Sequence, residues 1–150
     1  MGTLSLAREA AFDAVTGFYR ALDIQGTVWR DPSDQSKGKI TPGQAGTSAA
    51  DYGAAALRNM VDGLQGLQVG NRQTSNRSIS IKGGSYLAPI AQVKGNTFVA
   101  FAGGNADNIS HFVSVGSNMF GFEDLYGGGD RDFDDKVFGF AFAKVVTPAA

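Results

Sequence analysis

Six of the fourteen acidic side chains fall within thirteen residues: Glu123, Asp124, Asp130, Asp132, Asp134 and Asp135. Only Arg131 opposes them, so this segment carries −5 while the other 137 residues carry +4. Carboxylates this dense on an ordered loop repel one another unless a cation sits among them. The run Gly127-Gly128-Gly129-Asp130-Arg131-Asp132-Phe133-Asp134-Asp135 places carboxylates at positions 1, 3, 5 and 6 counted from Asp130. Calcium takes roughly six to eight oxygen ligands in tolerant geometry, and an Asp-x-Asp-x-x-Asp spacing can converge three side chains on one ion. The glycines let the backbone turn sharply enough to add carbonyl oxygens, and Glu123-Asp124 can approach from the strand before the turn. Magnesium fits such a crowded site less well because it keeps its waters and demands an octahedron. Iron, copper and zinc find no nitrogen or sulfur ligands in this segment. An EF-hand is excluded, since its sixth and twelfth positions would hold Asp135 and Ala141 in place of Gly and Glu. A calcium loop of another kind and a solvated acidic turn are the two readings left.

Other chemistry is poorly supplied. With no Cys, disulfides, thiolate metal sites and thiol catalysis are absent. His111 is the only histidine, which rules out multi-histidine metal sites and makes it the one base open to a serine triad. The segment Gly83-Gly84-Ser85-Tyr86-Leu87 lacks the final Gly of a nucleophile elbow. The Gly103-Gly104-Asn105 and Gly127-Gly128-Gly129 runs lack the Lys-Ser/Thr of a phosphate loop. A carboxylate pair such as Glu123/Asp132 could serve glycoside hydrolysis, but ion binding explains the cluster more economically. The chain reads as a non-enzyme.

Positioning these groups falls mostly to strands. Twenty-one Gly with eleven Phe point to tight turns between aromatic-rich strands. Strands are expected over 12–21, with Phe18 and Tyr19 on opposite faces, and over 27–29, 86–93, 97–102, 111–115 and 136–146. Period-two alternation also starts after Gln68 and places Ile79 and Ile81 on one face. In the last strand Phe138, Phe140 and Phe142 share a face. Pro89 marks its strand as an edge or a bulge. Ser48, with Asp51 three residues on, reads as a helix cap, and Tyr52, Ala56 and Met60 follow at helical spacing. The expected fold is one domain, 1–150, mainly β: an antiparallel, jelly-roll-like β-sandwich with one short amphipathic helix near 49–62.

Length and charge bound the rest. At 150 residues the chain can bury a core without staples, and a net charge of −1 argues against nucleic acid as partner. No apolar run approaches the roughly 18 residues of a membrane helix, and no leader peptide is visible at the start.

The segment Phe120-Gly121-Phe122-Glu123-Asp124-Leu125-Tyr126-Gly127-Gly128-Gly129-Asp130-Arg131-Asp132-Phe133-Asp134-Asp135 resembles the signature of domain-of-unknown-function family 4114. The likeness extends to Asp107 with His111-Phe112, to Gly83-Gly84-Ser85-Tyr86-Leu87-Ala88-Pro89, and to Gly17-Phe18-Tyr19-Arg20 with Gly26-Thr27-Val28 and Pro42-Gly43. It implies a secreted bacterial β-sandwich module, carried by calcium-binding surface proteins, and adds Asp107 to the candidate metal set. Asp134 departs from the family's usual Asn, and Gln44 from an Asp commonly found after Pro-Gly.

Together these readings anticipate an extracellular or cell-surface, calcium-stabilised structural or adhesive module. The metal ligands are Glu123, Asp124, Asp130, Asp132, Asp134, Asp135 and Asp107. The flanks, Leu4 to Ala11 and Thr147 to Ala150, need something to tie them down. Self-association into an oligomer or filament, with a terminal segment lent to a neighbour's sheet, is the expected mode of assembly. The alternative is a calcium-dependent glycan-binding module in which Trp29 or Tyr126 stacks on a sugar ring.

Overall fold

The computed structural model describes residues 2–8, 15–67, 74–79, 86–116, 119–122 and 136–142. In chain order the strands are β1 (Gly2–Arg8), β2 (Val15–Ala21), β3 (Val28–Trp29) and β4 (Lys39–Ile40), then a helix, α1 (Ala49–Arg58). Six strands follow: β5 (Thr74–Ile79), β6 (Tyr86–Val93), β7 (Asn96–Val99), β8 (Phe112–Gly116), β9 (Met119–Phe122) and β10 (Lys136–Phe142). All pairings are antiparallel. One sheet runs β5-β1-β10-β9-β8, a second β2-β6-β7, and β3 pairs β4.

The two larger sheets share a core. Leu4 of β1, Phe112 of β8 and Phe122 of β9 pack in one cluster with Phe18, Ala91, Val93 and Phe98 of the second sheet. Two antiparallel sheets with a common apolar interior, and a single helix, match the β class expected from the alternation and the Gly turns. Strand β2 has both faces covered, because Phe18 enters this cluster while Tyr19 enters a second one with Val28, Ile40, Tyr52 and Ile90. Opposite faces were expected for these two residues; burial of both is what the tertiary structure adds.

The α1 cap forms as read, with Ser48 Oγ accepting from the Asp51 amide at 3.0 Å. Tyr52, Ala55 and Ala56 make the buried face. The helix ends at Arg58, short of 62, because the following residues serve the free edge of β2. The Asn59 carbonyl accepts from the Arg20 amide, the Val61 amide donates to Phe18, and Leu64 and Leu67 bond to Phe18 and Thr16. These bonds satisfy backbone groups that an open edge would expose.

Pro89 lies in β6, which is flanked by β2 and β7, so the edge reading holds only locally. Pro89 pairs with Phe18 of β2, but β7 reaches only from Val93 to Ile90. The proline therefore stands one residue beyond the last partner on that side, where its missing amide costs nothing. Strands β1 and β9 went unread in the sequence, and the strand expected over 97–102 stops at Val99, giving way to a 3-10 turn at Ala102–Gly104.

Candidate functional site

The best-defined polar arrangement lies in the connection from β7 to β8. Asn105 closes the 3-10 turn through its amide on the Ala102 carbonyl, and its side chain is buried. Its Oδ1 accepts from the Val99 amide at 2.7 Å, while Nδ2 donates to the Val99 carbonyl at 3.1 Å and to the Ile109 carbonyl at 2.8 Å. One carboxamide thus stands in for a strand partner of Val99 and pins the far end of the loop. Asn108 takes the left-handed conformation at φ 56°, which asparagine tolerates. The chain thereby turns back so that the Asp107 Oδ1 accepts from the Ile109 amide at 3.2 Å.

The other oxygen, Asp107 Oδ2, lies 2.6 Å from His111 Nε2. Both side chains are removed from water, with 0% of His111 and 3% of Asp107 exposed. A carboxylate only accepts, so Nε2 carries the shared proton, and 2.6 Å falls at the short end for a charge-assisted bond. The imidazole stacks on Phe98 with centroids 3.7 Å apart and planes 23° apart. Phe122 lies 6.4 Å from the imidazole and 4.7 Å from Phe112. Asp107, His111 and Phe112 each make at least one further interaction beyond these.

This pair adjoins the root of the acidic segment. Phe122 is opposite Phe112 on β8 and opposite Lys136 on β10. The thirteen residues from Glu123 to Asp135 therefore leave from and return to one antiparallel pair, at the sheet end where His111 and Asp107 sit. The predicted ligands Glu123, Asp124, Asp130, Asp132, Asp134 and Asp135, and Tyr126 beside them, lie outside the described residues. Of the seven predicted ligands only Asp107 is described. Its oxygens are hard donors that suit calcium, and each retains a lone pair after the bonds named, so Asp107 can supply one ligand at most alongside the segment. Among the described residues no three His, Cys, Asp or Glu side chains converge on one point.

Elsewhere, polar groups are tied into the scaffold. Tyr52 Oη donates to the Gly26 carbonyl at 2.5 Å and lies 3.0 Å from Tyr19 Oη. Since the single Tyr52 proton goes to Gly26, Tyr19 is the donor of the pair. Burial pushes the Tyr52 hydroxyl up to about 12, and burial together with Tyr52 drives Tyr19 higher. The Thr27 hydroxyl and amide hold Asp23 below the usual carboxylate range, and Ser33 does the same for Asp31. Trp29 carries the Lys39 ammonium 4.9 Å from its ring centroid, so one of its faces is already occupied.

Sequence reasoning missed the Asn105 clamp and the tyrosine pair. An Asp and a His four residues apart is the one signal that could have announced the Asp107–His111 bond. It was weak, because such a spacing implies contact only if the backbone between them turns.

A two-sheet antiparallel β protein with a buried carboxylate–imidazole pair at the root of an acidic segment is the class this architecture defines. A family model described as Domain of unknown function (DUF4114) matches residues 64–143, and the chain belongs to that family. The match spans β5 to β10, the Asp107–His111 pair and the acidic segment, but not the N-terminal motifs. No curated protein and no solved structure matches the chain.

Proposed function

We propose that this protein is a non-enzymatic, calcium-stabilised extracellular module with a structural or adhesive role, working as a subunit of a surface assembly. One observation carries the reading: six carboxylates against one arginine occupy a segment whose ends meet at the Phe122/Lys136 pair, beside the buried Asp107 carboxylate. Closing such a segment concentrates negative charge at a sheet end that also holds an aromatic cluster. A divalent cation offsets that repulsion and makes the segment part of the fold. Extracellular calcium modules bind at roughly 0.1–1 mM, and calcium at about ten times the dissociation constant adds about 1.4 kcal/mol by linkage. The glycan alternative is the less favoured, since Lys39 already covers one face of Trp29.

The test is thermal unfolding in EDTA, in millimolar calcium and in millimolar magnesium at equal ionic strength. Calcium alone is expected to raise Tm by about 3–6 °C, the equivalent of that linkage energy for a domain this size. An identical Tm in all three leaves the segment a solvated turn and ends the calcium reading.

A further inference from the structure

Strand β1 occupies an unusual place in its sheet. It pairs with β10 at seven positions and with β5 at six, and β5 has no other strand neighbour among the described residues. Strand β1 is therefore the only strand joining β5 to the β10-β9-β8 group. Neither pairing is a hairpin: the closest partners in sequence, Ala7 and Thr74, are separated by most of the chain's first half. Its side chain in the core is Leu4, fully buried among residues of both sheets. Taking β1 away would leave two facing rows of unpaired backbone groups and an apolar hole, a slot that only an extended segment of matching register fills.

We propose that β1 is exchangeable, so that in the assembled protein the slot between β5 and β10 of one copy takes Gly2–Arg8 of a second copy. This rests on the assembly part of the function proposed above and not on its calcium part. A second copy carries the same seven residues and makes the same pairings, so the slot itself does not distinguish self from neighbour. What favours the chain's own strand is effective concentration alone, set by the six residues that join Arg8 to Val15. Short flexible links give values in the millimolar range, and subunits held side by side on a surface reach similar local concentrations. Six residues extend to about 20 Å, enough to carry β1 out of its own sheet and into an adjoining copy. Reciprocal exchange closes a dimer, whereas one-way donation propagates as an open chain.

The absence of cysteine makes this directly readable. Ser5 and Asn76 are register partners on β1 and β5, both exposed, with Ser5 Oγ donating to Asn76 Oδ1 at 2.8 Å. Directly opposed antiparallel residues have Cα atoms about 4.5–5.5 Å apart, within the range a disulfide spans. Full-length Ser5→Cys and Asn76→Cys chains are unfolded together, refolded as an equal mixture at high concentration and oxidised. The linked peptides are then identified by mass spectrometry. With exchange, a dimer linked between positions 5 and 76 forms in the mixture, up to about half of the slots when donors are drawn at random. Its absence, while the Ser5→Cys/Asn76→Cys double variant closes the same bond within one chain, overturns exchange. A double variant that forms the bond neither within nor between chains overturns the β1–β5 pairing and the proposal with it. Running both arms in EDTA and in calcium separates the two readings, because a failed exchange leaves calcium stabilisation standing and the reverse.

Discussion

Removing the Asp107 carboxylate gives the sharpest test of the site. In Asp107→Ala, His111 Nε2 loses its acceptor inside a site with no exposed imidazole surface, and the half-buried Ile109 amide loses its own. An unsatisfied buried donor costs roughly 1–3 kcal/mol; the upper part of that range applies to the imidazole and the lower to the amide. The sum is about 3–4 kcal/mol, which agrees with the roughly 3–5 kcal/mol seen when one partner of a buried pair is removed. For a chain of this length that lowers Tm by about 10 °C. Asp107→Asn is expected to cost less, about 1–2 kcal/mol. Its carbonyl still accepts from Ile109, and its amide can donate to Nε2 once the imidazole proton moves to Nδ1. Urea unfolding in EDTA reads this structural part. The same measurement in calcium reads the ligand part, because a variant lacking a ligand shows a smaller calcium increment than the native chain. An Asp107→Ala loss below about 1 kcal/mol in EDTA would refute the assignment of a structural role to this bond.

Two further outcomes follow from the packing around Tyr52. Tyr52→Phe strands both the Gly26 carbonyl and the Tyr19 hydroxyl, so a loss of roughly 2–4 kcal/mol is expected, against about 1–2 kcal/mol for Tyr19→Phe, which leaves the bond to Gly26 intact; urea midpoints rank the two. Both hydroxyls sit above their ordinary value near 10, so the native state holds their protons more tightly than the unfolded chain. Stability is therefore whole below about pH 10 and is lost as pH rises toward 12; the double Phe variant should show a flatter alkaline limb. In Gly104→Ala the new methyl would meet Val99 Cγ2 at 2.7 Å and Tyr52 Cδ2 at 2.8 Å. Tyr52 is fixed by its hydroxyl and cannot move aside, so a destabilisation of about 1–3 kcal/mol is expected by chemical unfolding.

Much of the fold was legible because it depends on local rules. Strand β6 runs over the residues its alternation marked, and Ser48 caps α1 as its spacing to Asp51 required. Strand β1 was not legible: Gly2–Arg8 mixes small, polar and apolar residues, and its extended form is dictated by partners on β5 and β10. The helix end was equally hidden. Apolar spacing continues through Met60 and Val61, but bonds from β2 draw residues 59–67 out of helical geometry.

At the site the division is similar. Composition alone determined that cysteine chemistry and multi-histidine metal sites are closed to this chain, and that its carboxylates concentrate between Glu123 and Asp135. It could not determine that Asp107 and His111 are bonded to each other out of water. That depends on the Asn105 carboxamide reaching from Val99 to Ile109, on a left-handed Asn108, and on Phe98 and Phe122 arriving from different strands to enclose the imidazole. Nor could it place the acidic segment beside that pair, because adjacency across β8, β9 and β10 is a property of sheet register. Residue type fixes which chemistry a chain can offer; backbone pairing between distant segments decides which groups meet and which are kept from water.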